Sequence, residues 1–185
     1  MPRERELILG GQKSGKSRRA ETAAAAWLAA DPARDAVLIA TAQPHDAEMR
    51  ERIARHRADR AARVPGLRTV EEPRALPDAI AALSAPGTLV VVDCLTLWLT
   101  SLAMPLHGAP VDASDAAASL VAALHEARGP IVLVGNEIGL GVIPLGREVR
   151  AFVDALGQLN QAVAAVCDRV TLMAAGLPLT LKEPV

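Results

Sequence analysis

Tyrosine is missing from this 185-residue chain, phenylalanine occurs once and tryptophan twice. With aromatics at 2%, the stacked side chains that grip successive bases of a single strand cannot be assembled, which argues against nucleic acid as a partner. An excess of either charge is missing too. Twenty Lys and Arg against 21 Asp and Glu leave a formal net charge of -1, so no global field draws the chain to polyanions or acidic membranes. There are only two cysteines, Cys94 and Cys167. They lie far apart, with neither a CxxC spacing nor a companion histidine set for zinc, and read as buried, reduced thiols. No apolar run approaches membrane-spanning length, and residues 1–6 pass into a short strand without the pattern of a secretion signal. These absences predict a cytoplasmic protein without membrane insertion, whose partners are small molecules or like subunits.

What is present supports one compact core. Half of the residues are hydrophobic (51%), and the length suits a single domain, here 1–185. Leu7-Ile8-Leu9 stops at glycine and precedes an alanine-rich, proline-free stretch over 17–30: strand, loop, helix. Ala36 to Ala40 reads as a second strand, followed by a charged helix over 45–63 that ends before Pro65-Gly66. A third strand is expected over 67–70, then a helix with Pro73 in its first turn reaching about residue 83. Thr88-Leu89-Val90-Val91-Val92-Asp93 has the uninterrupted apolar run of a central parallel strand. Helices follow over 95–103 and 112–128, separated by a loop at 105–110, and Ile131 to Val134 is the next strand. Residues 135–146 hold four glycines and Pro144, too many breakers for a regular element. A helix over 147–167 and strands at 170–173 and 177–181, joined by Ala174-Ala175-Gly176, close the chain as a hairpin. The alternation predicts a three-layer α/β domain with a mostly parallel central sheet and a C-terminal antiparallel hairpin.

The strongest chemical signal is Gly10-Gly11-Gln12-Lys13-Ser14-Gly15-Lys16-Ser17. Two glycines with four residues between them, then Lys-Ser, between a strand and a helix, make a P-loop: main-chain N–H groups and the helix dipole meet phosphate oxygens. Lys16 reaches the terminal phosphates, and the Ser17 hydroxyl is placed to ligate Mg²⁺ brought in with ATP or GTP. Asp93, ending the most apolar strand, is the Walker B candidate and second metal ligand; its alternative is an N-cap for the following helix. Arg52, His56 and Arg60 recur at one-turn spacing and share a helix face that could meet a phosphate, with His56 a candidate nucleophile or simply a solvated residue. His45 is a weaker alternative on that face; His107 and His125 have less company. Asn136 and Glu137 open the glycine-rich loop and fall with Gly10, Ala40 and Asp93 at the carboxyl ends of strands, where open α/β sheets bind ligands. Their bland alternative is a surface turn.

Taken in order, these residues resemble one family over nearly the whole chain: the bifunctional adenosylcobinamide kinase / adenosylcobinamide-phosphate guanylyltransferase of cobalamin synthesis. Besides the P-loop with Arg18 and Glu21, the pattern runs through Ala40-Thr41-Ala42, Asp46, Arg52, His56, Arg60, Glu71, Asp93-Cys94-Leu95-Thr96, Asn136-Glu137-Ile138-Gly139-Leu140-Gly141, Leu159-Asn160-Gln161 and Gly176-Leu177-Pro178. The chain departs from it at Pro144-Leu145-Gly146-Arg147, and Arg55-His56-Arg57 offers no neighbouring histidine that could replace His56. The resemblance implies a RecA-like fold, a homotrimer and two reactions. A triphosphate phosphorylates adenosylcobinamide; GTP then places GMP on His56 and the covalent enzyme passes it to adenosylcobinamide phosphate. It also implies guanine-nucleotide contacts at the P-loop, Ala40, Thr41, Ala42, Arg57, Ala58, Asp59, Arg60, Glu71 and Asp93. A P-loop kinase with His56 as a spectator is the competing reading. A GTPase switch is disfavoured because no Asn-Lys-x-Asp guanine-reading motif occurs.

Overall fold

The computed structural model describes residues 4–184; residues 1–3 and 185, part of the expected domain and of the N-terminal reading, lie outside them. Seven strands form one sheet: β1 (Arg5–Gly10), β2 (Asp35–Ala40), β3 (Leu67–Glu71), β4 (Thr88–Asp93), β5 (Ile131–Val134), β6 (Arg169–Ala174) and β7 (Leu177–Lys182). Their order is β3-β2-β4-β5-β1-β6-β7. Every pair is parallel except β6 with β7. Six helices connect them: α1 (Lys16–Ala29), α2 (Ala47–Arg63), α3 (Leu76–Leu83), α4 (Leu95–Ala103), α5 (Ala113–Glu126) and α6 (Arg147–Val166).

Because side chains alternate across a strand, the continuous apolar runs feed two cores at once. Leu7, Leu9, Val37, Ile39, Val90, Val92, Ile131 and Leu133 pack on one face with residues of α3 to α6, around a fully buried Trp98. Ile8, Leu38, Val91 and Val132 point the other way, against Ala20 and Ala24 of α1. The alanine-rich composition of α1 thus has a packing reason: small side chains let the helix that carries the phosphate loop lie close on the sheet.

The layers are uneven. Helix α2 is buried near its C-terminus, at Arg60 and Val64, and its earlier turns are exposed apart from half-buried Met49 and Ile53. Its start is secured locally by Asp46, whose carboxylate accepts from the Met49 N–H at 2.7 Å, an N-cap bond.

One helix begins later than the sequence predicts. Pro73 lies ahead of α3, which starts at Leu76 with Pro77 in its first turn. The carboxylate of Glu72 accepts from the N–H groups of Arg74 and Ala75 (2.9 and 2.7 Å), and the Arg74 guanidinium donates to Ser101 O at 2.6 Å, which holds this segment as a turn. The hairpin turn is tight: Ala175 and Gly176 have φ of 52 and 80, the left-handed pair that matches strand twist.

Both cysteines are buried and unpaired. Burial pushes the Cys94 and Cys167 thiols up to about 12, leaving almost no thiolate at pH 8. Native protein is therefore expected to leave Ellman's reagent unreacted over minutes and to titrate two thiols once unfolded in guanidinium; prompt native reaction of either would contradict this burial.

Candidate active site

Strand β1 ends at Gly10, and a Cβ added there would meet Met173 O at 2.4 Å and Ser14 Oγ at 2.7 Å, so only glycine fits. Gly15, at φ 101, is the N-cap of α1 and supplies no side-chain acceptor. The first N–H groups of α1 are therefore left to face a ligand. Lys16 is buried and its Nζ donates to Gly11 O at 2.6 Å, closing the loop on itself. Burial pushes its ammonium below the ordinary lysine value, against the pull of Cys94 and Asp93. The Cys94 thiol, pushed up to about 12, carries no charge near neutrality.

Glu71, Ala40 and Asp93 are register partners across β3, β2 and β4, so three sequence-predicted residues form one row at the carboxyl edge. Thr41, fully buried, fastens β2 to β4: its N–H donates to Asp93 O (3.1 Å), its hydroxyl to Cys94 O (2.7 Å), and it accepts from Cys94 N–H (2.8 Å). Ala42, next to it, is half-buried. Asp93 does not cap α4, whose N-cap is Cys94; its carboxylate is instead the charge that draws both Lys16 and Arg60.

The face of α2 differs from the three-donor cluster its spacing suggests. Arg60 is buried and donates to Thr69 Oγ1 at 3.2 Å, and burial lowers its pKa against the pull of Asp93 and Glu21. Arg57 pairs with Glu71. Arg63 clasps the buried carboxylate of Glu21 on α1 at 2.7 and 3.2 Å. Arg52, His56, Ala58 and Asp59 remain exposed. The helix is thus tied down from Arg57 to its end, while His56 just ahead faces solvent. His45 and His107 are exposed in loops, and His125, in the last turn of α5 ahead of β5, belongs to the opposite edge of the sheet.

Strand β5 lies between β1 and β4, so the loop after it opens between the phosphate loop and Asp93. Gly135 N–H donates to Ile8 O (2.9 Å) and Glu137 N–H to Gly10 O (3.1 Å). Asn136 is clamped from two helices: its N–H donates to Thr96 Oγ1 (2.9 Å), and its carbonyl accepts from Asn160 Nδ2 (3.1 Å). The Glu137 carboxylate accepts from Gly139 N–H at 2.7 Å. Thr96 and Asn160 stand in the ordered motif without any role that spacing could supply; their role is to position Asn136. Thr96→Val would leave the Asn136 N–H without its acceptor, and a loss of about 1–3 kcal/mol in urea unfolding is expected; an unchanged midpoint would show that the bond is dispensable.

A glycine-rich loop between the first strand and its helix, with a carboxylate at the end of a nearby central strand, defines a P-loop nucleotide-binding α/β protein. The fold agrees with that of the flagellar accessory protein FlaH of Methanocaldococcus jannaschii (TM-score 0.55, 11% identity, covering 98% of this chain and 79% of that one). The family is given by sequence. Residues 6–181 match the family model "Cobinamide kinase / cobinamide phosphate guanyltransferase". The bifunctional adenosylcobalamin biosynthesis protein CobP of Pseudomonas aeruginosa is 49% identical over 97% of this chain and 99% of its own. CobU of Salmonella typhimurium is 36% identical, over 95% and 98%, and CobU of Escherichia coli 35%, over the same shares. The chain belongs to this family of bifunctional enzymes.

Proposed function

We propose that one domain, residues 1–185, performs both family reactions, with the phosphate loop and His56 as its two chemical centres. In the first, the hydroxyl of adenosylcobinamide attacks the γ-phosphorus of ATP or GTP, its proton is lost and the nucleoside diphosphate leaves. In the second, a nitrogen of His56 attacks the α-phosphorus of GTP and pyrophosphate leaves. A phosphate oxygen of adenosylcobinamide phosphate then displaces the histidine, giving adenosylcobinamide-GDP. Phosphoryl transfer needs mainly positioning and charge neutralisation, which the loop amides and Lys16 provide. A retained nucleotide needs a nucleophile.

The observation that carries this reading is the row of Glu71, Ala40 and Asp93 at the carboxyl edge, with Asp93 near enough to act on the charges of Lys16 in the phosphate loop and of Arg60 on the helix bearing His56. Arg57, Arg60 and Glu71 with Ala40 to Ala42 would hold the guanine nucleotide beside it, and Asn136 and Glu137 would face the acceptor. The Ser17 hydroxyl and Asp93 suit a hard cation carried in with the triphosphate, so Mg²⁺ would be held there with phosphate oxygens and water, and would neutralise phosphate charge. Among the described residues no helix is long and apolar enough to cross a membrane, and reduced thiols accord with a cytoplasmic setting.

The test is mass analysis after exposure to GTP and magnesium. A GMP adduct is expected on His56 and absent in His56→Ala, which keeps the kinase step with ATP. Lys16→Ala is expected to lower kinase kcat by about 10²–10³-fold, the scale of losing one preorganised charge donor. An active enzyme that never forms an adduct would reduce the chain to a kinase.

The homotrimer is supported by apolar side chains left uncovered: Leu177, Leu179 and Leu181 of edge strand β7 are 70%, 57% and 56% exposed, and Leu145 and Val142 of the loop after β5 almost fully. Surfaces of this kind mark protein contacts. Sedimentation equilibrium is expected to give a trimer, and Leu179→Lys to shift it toward monomer; a monomeric parent chain would refute the assignment.

A further inference from the structure

The phosphate loop sets where the triphosphate lies and leaves open the direction in which its nucleoside departs. The two sides of β1 differ sharply. On the β5 side the space over the strand ends is taken by residues 135–137, bonded to Ile8 and Gly10, with Asp93 beyond. On the kinase reading the acceptor approaches from that side, which leaves the other side of β1 for the nucleoside.

On that other side stands the β6–β7 turn, sewn to the phosphate loop. Gly176 N–H donates to Ser14 O at 3.1 Å. A Cβ on Gly15 would lie 3.4 Å from Gly176 Cα and 3.5 Å from Met173 Cε, so the turn and the loop are in van der Waals contact. The Ser14 hydroxyl, within the phosphate loop, is buried without a hydrogen-bond partner among the described residues, an acceptor and donor held in reserve.

Beside this junction opens a groove of about 620 Å³, lined among others by Gly15, Arg18, Thr22, Met173, Gly176 and Pro178, within the range that holds a nucleoside. Its walls suit a flat heterocycle. Met173 and Pro178 give an apolar slab, and Arg18, exposed and without an ion pair among the described residues, gives a planar cation that can lie over a ring. The groove's carboxylate, Glu6, is already engaged by Arg19 and Thr171, and Thr22 Oγ1 donates to Arg18 O. No free side-chain carboxylate or amide is left in it to read the edge of a base.

We propose that this groove, between α1 and the β6–β7 turn, seats the purine of the phosphoryl donor in the kinase step. It is a base site apart from the guanine-nucleotide residues of β2 and α2, and it rests on the kinase reading above. Arg18 and Pro178 hold the two faces of the ring, and the turn fixes the distance between base and phosphates.

The test uses the full chain with 8-azido-ATP and Mg²⁺, irradiation and peptide mapping, alongside ATP-dependent phosphorylation of adenosylcobinamide. Label is expected within residues 18–26 or 173–178, and excess ATP should suppress it. Arg18→Ala and Pro178→Asp should each raise the KM for ATP about tenfold, the loss of one stacking contact, with kcat within about threefold and the circular dichroism unchanged. Label confined to residues 40–60, or an unaltered KM in both variants, overturns the assignment while the kinase reading stands. Parent protein that fails to phosphorylate adenosylcobinamide overturns both.

Discussion

The carboxylate of Asp93 lies where two buried cations feel it, and the candidate site is organised around that attraction. Lys16 and Arg60 are each pushed below their ordinary pKa by burial, and each is pulled back by Asp93. A buried cation without a counter-charge is costly, whereas one sharing a nearby carboxylate persists and stays in place. Through this one group the phosphate loop at the start of α1 and the last turn of α2 are electrostatically coupled. Thr41 holds the end of β2 to β4 with three hydrogen bonds at the same point, so the backbone there has little freedom to let the charges drift apart.

Sheet order converts this local arrangement into a division of space. Inserting β5 between β1 and β4 puts the loop at 135–146 over the gap between phosphate loop and Asp93, where an acceptor would approach. Placing β6 on the far side of β1 puts a rigid two-residue turn against the phosphate loop instead. The site therefore has a polar half made of strand ends and loops, and an apolar flank made by the hairpin. Helix α2 is anchored by Arg60 and by the Arg63–Glu21 pair, and its exposed middle carries His56 outward.

Much of this was legible from residue order. Strand and helix positions followed from apolar runs and breakers, because buried parallel strands must be continuously apolar and glycine-proline pairs must interrupt them. The start of α3 was misplaced since Pro73 is as acceptable before a helix as within its first turn, and the Glu72 and Arg74 bonds that decide the matter are tertiary. Helical spacing put Arg52, His56 and Arg60 at one-turn intervals along α2, but could not show that Arg60 is buried against Thr69 while Arg52 and His56 face water. Thr96 and Asn160 lie 64 positions apart in the chain, and only folding brings both to Asn136.

Sequence by itself determined the element types, the phosphate loop with its two obligatory glycines, and membership of the family, because each depends on residue type at short spacing or on ordered identity along the whole chain. Tertiary structure alone decided the strand order, the nearness of Asp93 to two buried cations, the clamp on Asn136 and the seating of the β6–β7 turn against the loop. The reason is that hydrophobic runs specify burial without naming a neighbour. Which strand lies beside which depends on how all the layers pack together, and the site is built from those adjacencies.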